Sequence, residues 1–140
     1  MEGFVETVTR GNVTEVKVIL ASVALSLGVY QLVLIAVGYG KVRPRFLSSR
    51  AASFAHRASG DVIAVLLVIV AAMCISYFGL EENALHAVAG SGLLVVLALK
   101  IAVVRRWHAL GRYLPLLGTC LFVLLAVTWA TSAGDLLADR

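Results

Sequence analysis

Four apolar runs, each long enough to cross a bilayer, constrain this chain more than any other feature. They extend from about Val18 to Tyr39, Asp61 to Gly79, Leu85 to Val104 and Tyr113 to Ser132. A helix needs roughly 20 residues to cross the hydrocarbon, and each run is a near-continuous series of Val, Leu, Ile and Ala. Barrel strands would read as short alternating segments. The runs therefore predict helices, which satisfy their own backbone hydrogen bonds in lipid. The expected fold is all-α, a transmembrane four-helix up-down bundle forming a single integral membrane domain over residues 1–140. Composition agrees, with 61% hydrophobic and 14% charged residues. Average soluble domains are about 45–50% apolar and about 25% charged, and a small domain keeps too much surface exposed to hide the excess. An ordinary soluble enzyme, a disordered chain and a disulfide scaffold are all excluded.

The charges predict an orientation. Lys41, Arg43, Arg45, Arg50 and Arg57 lie between the first two runs, and Arg105, Arg106 and Arg112 follow the third. The turn between the second and third runs, Leu80-Glu81-Glu82-Asn83, carries no basic residue. The positive-inside rule then places the connections 40–60 and 105–112 in the cytoplasm of a multi-pass cell-membrane protein. Both termini and the Glu81-Glu82 turn fall outside. The net charge of +4 is thereby a topology signal, and nucleic acid is not an expected partner. Aromatic rings fit the same frame, with Tyr39, Trp107 and Tyr113 at the inner interface and Tyr77, Phe78 and Trp129 at the outer one. No cleavable signal peptide is visible, because the N-terminal residues are acidic and the first apolar run is long. Asn12-Val13-Thr14 matches a glycosylation sequon, but it reads better as a helix start with Thr14 near the cap.

The long connection 40–60 contains Pro44, and its Phe46, Leu47, Phe54 and Ala55 among arginines fit a short interfacial helix. Cys74 and Cys120 lie at depths differing by roughly 9 Å. That is too far for a disulfide, so they read as small buried apolar residues.

Polar groups inside the spans carry the functional signal, because lipid makes them costly. His86 and Gly90 lie one turn apart at the start of the third run. Imidazole is a haem ligand, and a glycine lets a flat macrocycle approach the backbone. The structural alternative is an interfacial histidine with glycines for close helix packing. His56 and Gly60 repeat the spacing at the second run, with Ser53 and Arg57 alongside. Here the chemistry suits a quinone or a haem propionate: arginine as charge partner, serine as donor, histidine as proton carrier. The alternative is a basic flank with a capping serine. Asp61 and Lys100, both near the cytoplasmic end, are expected to pair, since either charge alone is costly to bury. Lys100 and His86 fall about 40° apart around the third helix, on a face expected to point into the bundle. Gln31 is expected to hydrogen-bond another helix. His108 reads as a loop residue near the level of His56.

Geometry limits the haem reading. His56 and His86 lie at opposite membrane faces, so a bis-histidine site within one chain would pair His56 with His108. His86 would take a ligand from another chain, or Met73, which lies deeper. The candidate metal ligands are His86 and His56. Paired-cysteine sites, H-E-x-x-H, G-x-S-x-G, Walker and dinucleotide patterns are absent from the sequence.

Two resemblances follow. Thr14-Glu15-Val16-Lys17-Val18, His56-Arg57-Ala58-Ser59-Gly60, Leu85-His86, the Lys100 region and Leu114-Pro115-Leu116-Leu117-Gly118 together resemble an uncharacterised family of four-helix membrane proteins found mainly in actinobacteria. That family carries no established activity; the resemblance implies association with quinol-linked redox proteins such as Rieske iron–sulfur proteins. Ser53-Phe54-Ala55-His56-Arg57-Ala58-Ser59-Gly60 is similar to the S-x-x-H-R-x-[ST]-G element of the cytochrome b subunit of succinate dehydrogenase. The similarity implies that Ser53 and Arg57 line a quinone site and that His86 resembles a haem ligand. The chain departs from that family in spacing, because Arg43-Pro44 lies too close. It lacks the Arg, His and Asp expected after His86, and it has four spans rather than three.

The expected function is a small membrane redox protein binding b-type haem, quinone or both in a respiratory electron-transfer chain. It is more an electron carrier or subunit than a stand-alone enzyme. Its expected partners are the lipid bilayer, membrane or extracytoplasmic redox proteins and a second copy of itself. The alternatives are a non-catalytic structural or assembly subunit of a larger respiratory complex, and a transporter or channel subunit.

Overall fold

The computed structural model describes residues 12–39, 48–78 and 84–138. Four helices account for nearly all of them: α1 (Val13–Gly38), α2 (Ser49–Met73), α3 (Ala84–Arg105) and α4 (Leu114–Ala138). A single π-helical stretch, Cys74–Phe78, continues α2, and a 3-10 turn, His108–Tyr113, leads into α4. The described residues contain no strand, and all four helices are long and apolar enough to cross a membrane.

Successive helices run antiparallel, as specific contacts demonstrate. Gln31, late in α1, meets His56, early in α2. Cys74, following α2, meets His86 at the start of α3. His86 in turn meets Thr131 late in α4, and Trp129 of α4 closes the ring on Ser22 of α1. The tightest pairings are α1 with α2 and α3 with α4; α1 and α4 join these hairpins, and α2 and α3 touch least.

The central layer takes side chains from every helix: Ala24, Ile63, Leu67, Leu93, Leu97, Leu121 and Leu125. A second layer of Leu34, Val37 and Ala52 closes one end of the α1–α2 contact. In lipid such layers hold through close packing, since tails outside are as apolar as leucine. Outward-facing residues are apolar too, including Val29, Val65, Val95 and Val123. Hydroxyls within the spans return to their own helices: Ser22 donates to the carbonyl of Val18 (2.7 Å) and Thr119 to that of Pro115 (3.0 Å). Local bonds of this kind spare a polar group in hydrocarbon.

Several expectations need correction. The second helix starts at Ser49, twelve residues before the apolar run, where the Ser48 side chain accepts from the amide of Ala51 (3.2 Å). Residues 49–60 are thus the opening turns of α2, and Phe54 lies on it rather than on a separate interfacial helix. The Asn12-Val13-Thr14 stretch is the expected helix start, with Asn12 at the cap of α1, although its side chain makes no capping bond. Trp129 also makes a contact the sequence did not suggest: its Nε1–H donates to Ser22 Oγ (2.8 Å) between helices. Both cysteines are free, as their depths required, but neither is the buried residue expected: Cys74 is half-buried and Cys120 exposed. Lys41, Arg43, Pro44, Arg45, Phe46, Leu47, Glu81 and Glu82 lie outside the described residues, as do the side chains of Tyr77 and Phe78.

Candidate functional site

Polar side chains gather at two places, one near each end of the bundle. The first is built on the start of α2. Gln31, only 8% exposed, donates from Nε2 to the carbonyl of His56 (3.0 Å) and to Ser59 Oγ (3.2 Å). Ser59 passes its own hydrogen to the carbonyl of Ala55 (2.7 Å). The approach is close at Gly60, where a Cβ would stand 3.1 Å from Gln31 Nε2 and the amide would have to give by a few tenths of an ångström. Gln31 therefore acts as sequence reasoning expects, as an inward amide binding another helix.

The helix period arranges the rest. Taking Ile63 as the centre of the buried face and about 100° per residue, Ser59 and Ala55 lie about 40° and 80° to one side, towards α1. His56, Gly60, Ser53 and Arg57 follow on the other side at about 20°, 60°, 80° and 120°. The S-x-x-H-R-x-S-G residues thus divide: Ser59 and Gly60 meet Gln31 of α1, while Ser53, His56 and Arg57 form a band running from the core outwards. Ser53 and Arg57 are exposed, whereas His56 and Gly60 are half-buried.

Lys100 of α3 is half-buried and close enough to His56 for its charge to act on the imidazole. The Nδ1 atom of His56 is buried and has no hydrogen-bond partner among the described residues. The expected Asp61–Lys100 pair does not form. Asp61 is exposed, because two residues along a helix turn it about 160° away from Ile63, whereas Lys100 points inward. Depth alone suggested the pair, and azimuth forbids it.

The second cluster lies at the opposite end. His86 Nδ1 is 2.9 Å from Thr131 Oγ1 and 3.4 Å from Ser132 Oγ, while its Nε2 faces Cys74 Sγ at 4.0 Å. Lys17 is buried, and its charge acts on Cys74. His86 and Lys100 thus share the inward face of α3, as their spacing predicts. The neighbour of Gly90 is Thr128, whose methyl lies 4.0 Å from where a Cβ would stand. Cys74, Thr131 and Ser132 escaped the sequence reading. Matched depth at one end of the second, third and fourth runs was the available signal; the π-helical stretch that sets Cys74 against His86 left none.

The three histidines do not converge. Along α2, His56 and the Cys74 that faces His86 are separated by roughly 27 Å of helix. His108 is exposed on a turn that packs against α3 and α4, where it lines an open pocket with Arg106 and Trp107. No group of three or more His, Cys, Asp or Glu side chains suited to a metal ion occurs among the described residues.

No curated protein and no solved structure matches the chain. The match that exists is to a protein family of unknown function, DUF6529; it spans residues 3–139, and the chain belongs to that family.

Proposed function

We propose that the chain is a small integral membrane redox protein that binds a quinone head group between α2 and α3, at His56 and Lys100. The observation that carries this reading is the buried, unpartnered Nδ1 of His56 beside the ammonium of Lys100. A buried ring nitrogen without a partner forfeits a hydrogen bond worth about 1–3 kcal/mol, and a lysine inside a span is costly as well. A carbonyl oxygen placed between them would relieve both costs.

A quinone, when bound, accepts two electrons and two protons. His56 would donate Nδ1–H to one carbonyl oxygen, and Lys100 would hold the negative charge that reduction brings there. Both groups carry transferable protons. Gln31 fixes the backbone of His56, and Ser53 and Arg57 line the outward approach, in keeping with the local similarity to the succinate dehydrogenase cytochrome b subunit. The α2–α3 side, where the bundle is least tightly closed, gives a lipid-soluble tail its entry. In this reading the basic connections are cytoplasmic and the termini extracytoplasmic, and electrons come from or pass to a membrane or extracytoplasmic redox partner. The arrangement suits quinone better than haem b. His56 and His86 lie far apart, and both nitrogens of His86 face side chains of neighbouring helices.

The test is to purify the protein in mild detergent, quantify extractable quinone, and titrate a short-chain quinone. Stoichiometric binding that is lost in His56→Ala and Lys100→Met, with helicity retained, supports the reading. Absence of binding to the native protein overturns it and leaves the non-catalytic subunit of a larger respiratory complex. Soret and α bands in a reduced-minus-oxidised spectrum would replace quinone with haem.

A further inference from the structure

The second cluster has the layout of an activated nucleophile, and nothing in the quinone reading uses it. Thr131 sets the tautomer of His86. A hydroxyl has one hydrogen, and Thr131 Oγ1 directs it to the carbonyls of Val127 (3.1 Å) and Thr128 (3.0 Å) on its own helix. Its lone pairs then face His86 Nδ1 at 2.9 Å, closer than Ser132 Oγ at 3.4 Å, and this shorter contact is met with Nδ1 as the donor. In the neutral imidazole this leaves Nε2 as the acceptor, and Nε2 is the atom facing Cys74 Sγ at 4.0 Å. Thiol, base and orienting group therefore stand in order, on three different helical segments. That order is the general signature of a base-activated nucleophile.

Two further features fit. Cys74 opens the π-helical stretch Cys74–Phe78, and such π turns recur at functional sites. The sulfur is half-buried, where a thiolate would be costly without positive charge nearby. The imidazolium formed on proton transfer would supply it, while the charge of Lys17 opposes only in part the larger effect of burial. Cys120 offers an internal contrast: it is exposed on α4, and its thiol makes no hydrogen bond among the described residues.

We propose that Cys74 is a reactive thiol, with His86 as its base and Thr131 as the positioning residue, and that it exchanges with small-molecule disulfides. The Sγ proton moves to His86 Nε2. The thiolate forms a new S–S bond to one sulfur of the disulfide, and the other sulfur leaves with the electron pair of the broken bond and takes the proton from the imidazolium. Cys74 is oxidised to the mixed disulfide and the departing sulfur is reduced to a thiol. Exchange of this kind is governed by how much thiolate is present and how accessible it is.

The full-length protein in detergent micelles is incubated with glutathione disulfide, and adducts on Cys74 and Cys120 are followed by peptide mass spectrometry. The expected result is at least ten-fold faster modification at Cys74. His86→Gln and Thr131→Val should each slow Cys74 at least five-fold without changing Cys120, and Thr131→Ser, which keeps the hydroxyl, should restore the native rate. A Cys74 rate equal to or below that of Cys120 overturns the proposal. So does a native Cys74 rate in His86→Gln, and helicity measured on each variant separates loss of the base from loss of the fold.

Discussion

The side-chain amide of Gln31 donates to the main-chain carbonyl of His56 at 3.0 Å, tying α1 to the residue that faces Lys100. The same amide reaches Ser59 Oγ, so one side chain holds two points on α2. Replacing Gln31 with Leu removes both bonds, but Ser59 keeps its bond to the carbonyl of Ala55. The expected cost is about 1 kcal/mol, because helix-to-helix hydrogen bonds in membranes average about 0.6 kcal/mol. Thermal unfolding in detergent measures it. Under the quinone reading, affinity for a short-chain quinone should fall several-fold in Gln31→Leu, against complete loss in His56→Ala.

Under the quinone reading, Lys100 sets stability against function. Its ammonium is half-buried with no ion pair or hydrogen bond among the described residues. A charged group within a span costs about 2.5–3.5 kcal/mol at the bilayer centre and less near its edge. Lys100→Leu is therefore expected to raise stability by about 1–2 kcal/mol while abolishing quinone binding. A lower melting temperature would mean that Lys100 holds the helices together.

Glycines at two positions should respond in opposite directions to a methyl group. A Cβ on Gly28 would stand 3.1 Å from the Phe122 ring, so in Gly28→Ala the ring, or α1 and α4 with it, must give by a few tenths of an ångström. Overpacking of this kind costs about 1–3 kcal/mol, more than the roughly 1 kcal/mol of helix propensity gained. Nothing lies within 4 Å of the same position on Gly118. Gly118→Ala should be neutral or stabilising by up to about 1 kcal/mol. Chemical denaturation of the two variants side by side decides.

Trp129 and Ser22 form a side-chain hydrogen bond between α1 and α4. Trp129→Phe and Ser22→Ala should each cost about 0.5–1.5 kcal/mol. Both variants remove the same bond, so the double variant should cost less than their sum. A double-mutant cycle on unfolding free energies would show that coupling; additive effects would mean that the bond contributes nothing.

The four spans were legible because lipid enforces long apolar helices. The limits of α2 were not, since hydropathy marks the hydrocarbon boundary rather than the helix end. Ser49, Arg50, Ser53 and Arg57 are polar and still helical. Gln31 was readable as an inward amide because a lone polar group in a span has few alternatives. Its partner, the carbonyl of His56, was not readable, since any backbone carbonyl can accept. The Asp61–Lys100 pair failed because matched depth says nothing about azimuth. The Cys74–His86 contact was invisible for a related reason: a π turn shifts the helical phase just where Cys74 stands.

The length of α2 with its π turn has a consequence for proton supply. Ser49 to Phe78 spans 30 residues, roughly 45 Å of helix, against about 30 Å of hydrocarbon. The surplus of about 15 Å cannot all be hidden by a modest tilt. With the π end level with one face, the first turns of α2 stand clear of the opposite one. His56 then lies close to the boundary where lipid gives way to water. A head group held there would draw protons from bulk solvent through a few ångströms of interface, with no conducting path through the bundle, while its tail stayed in oil.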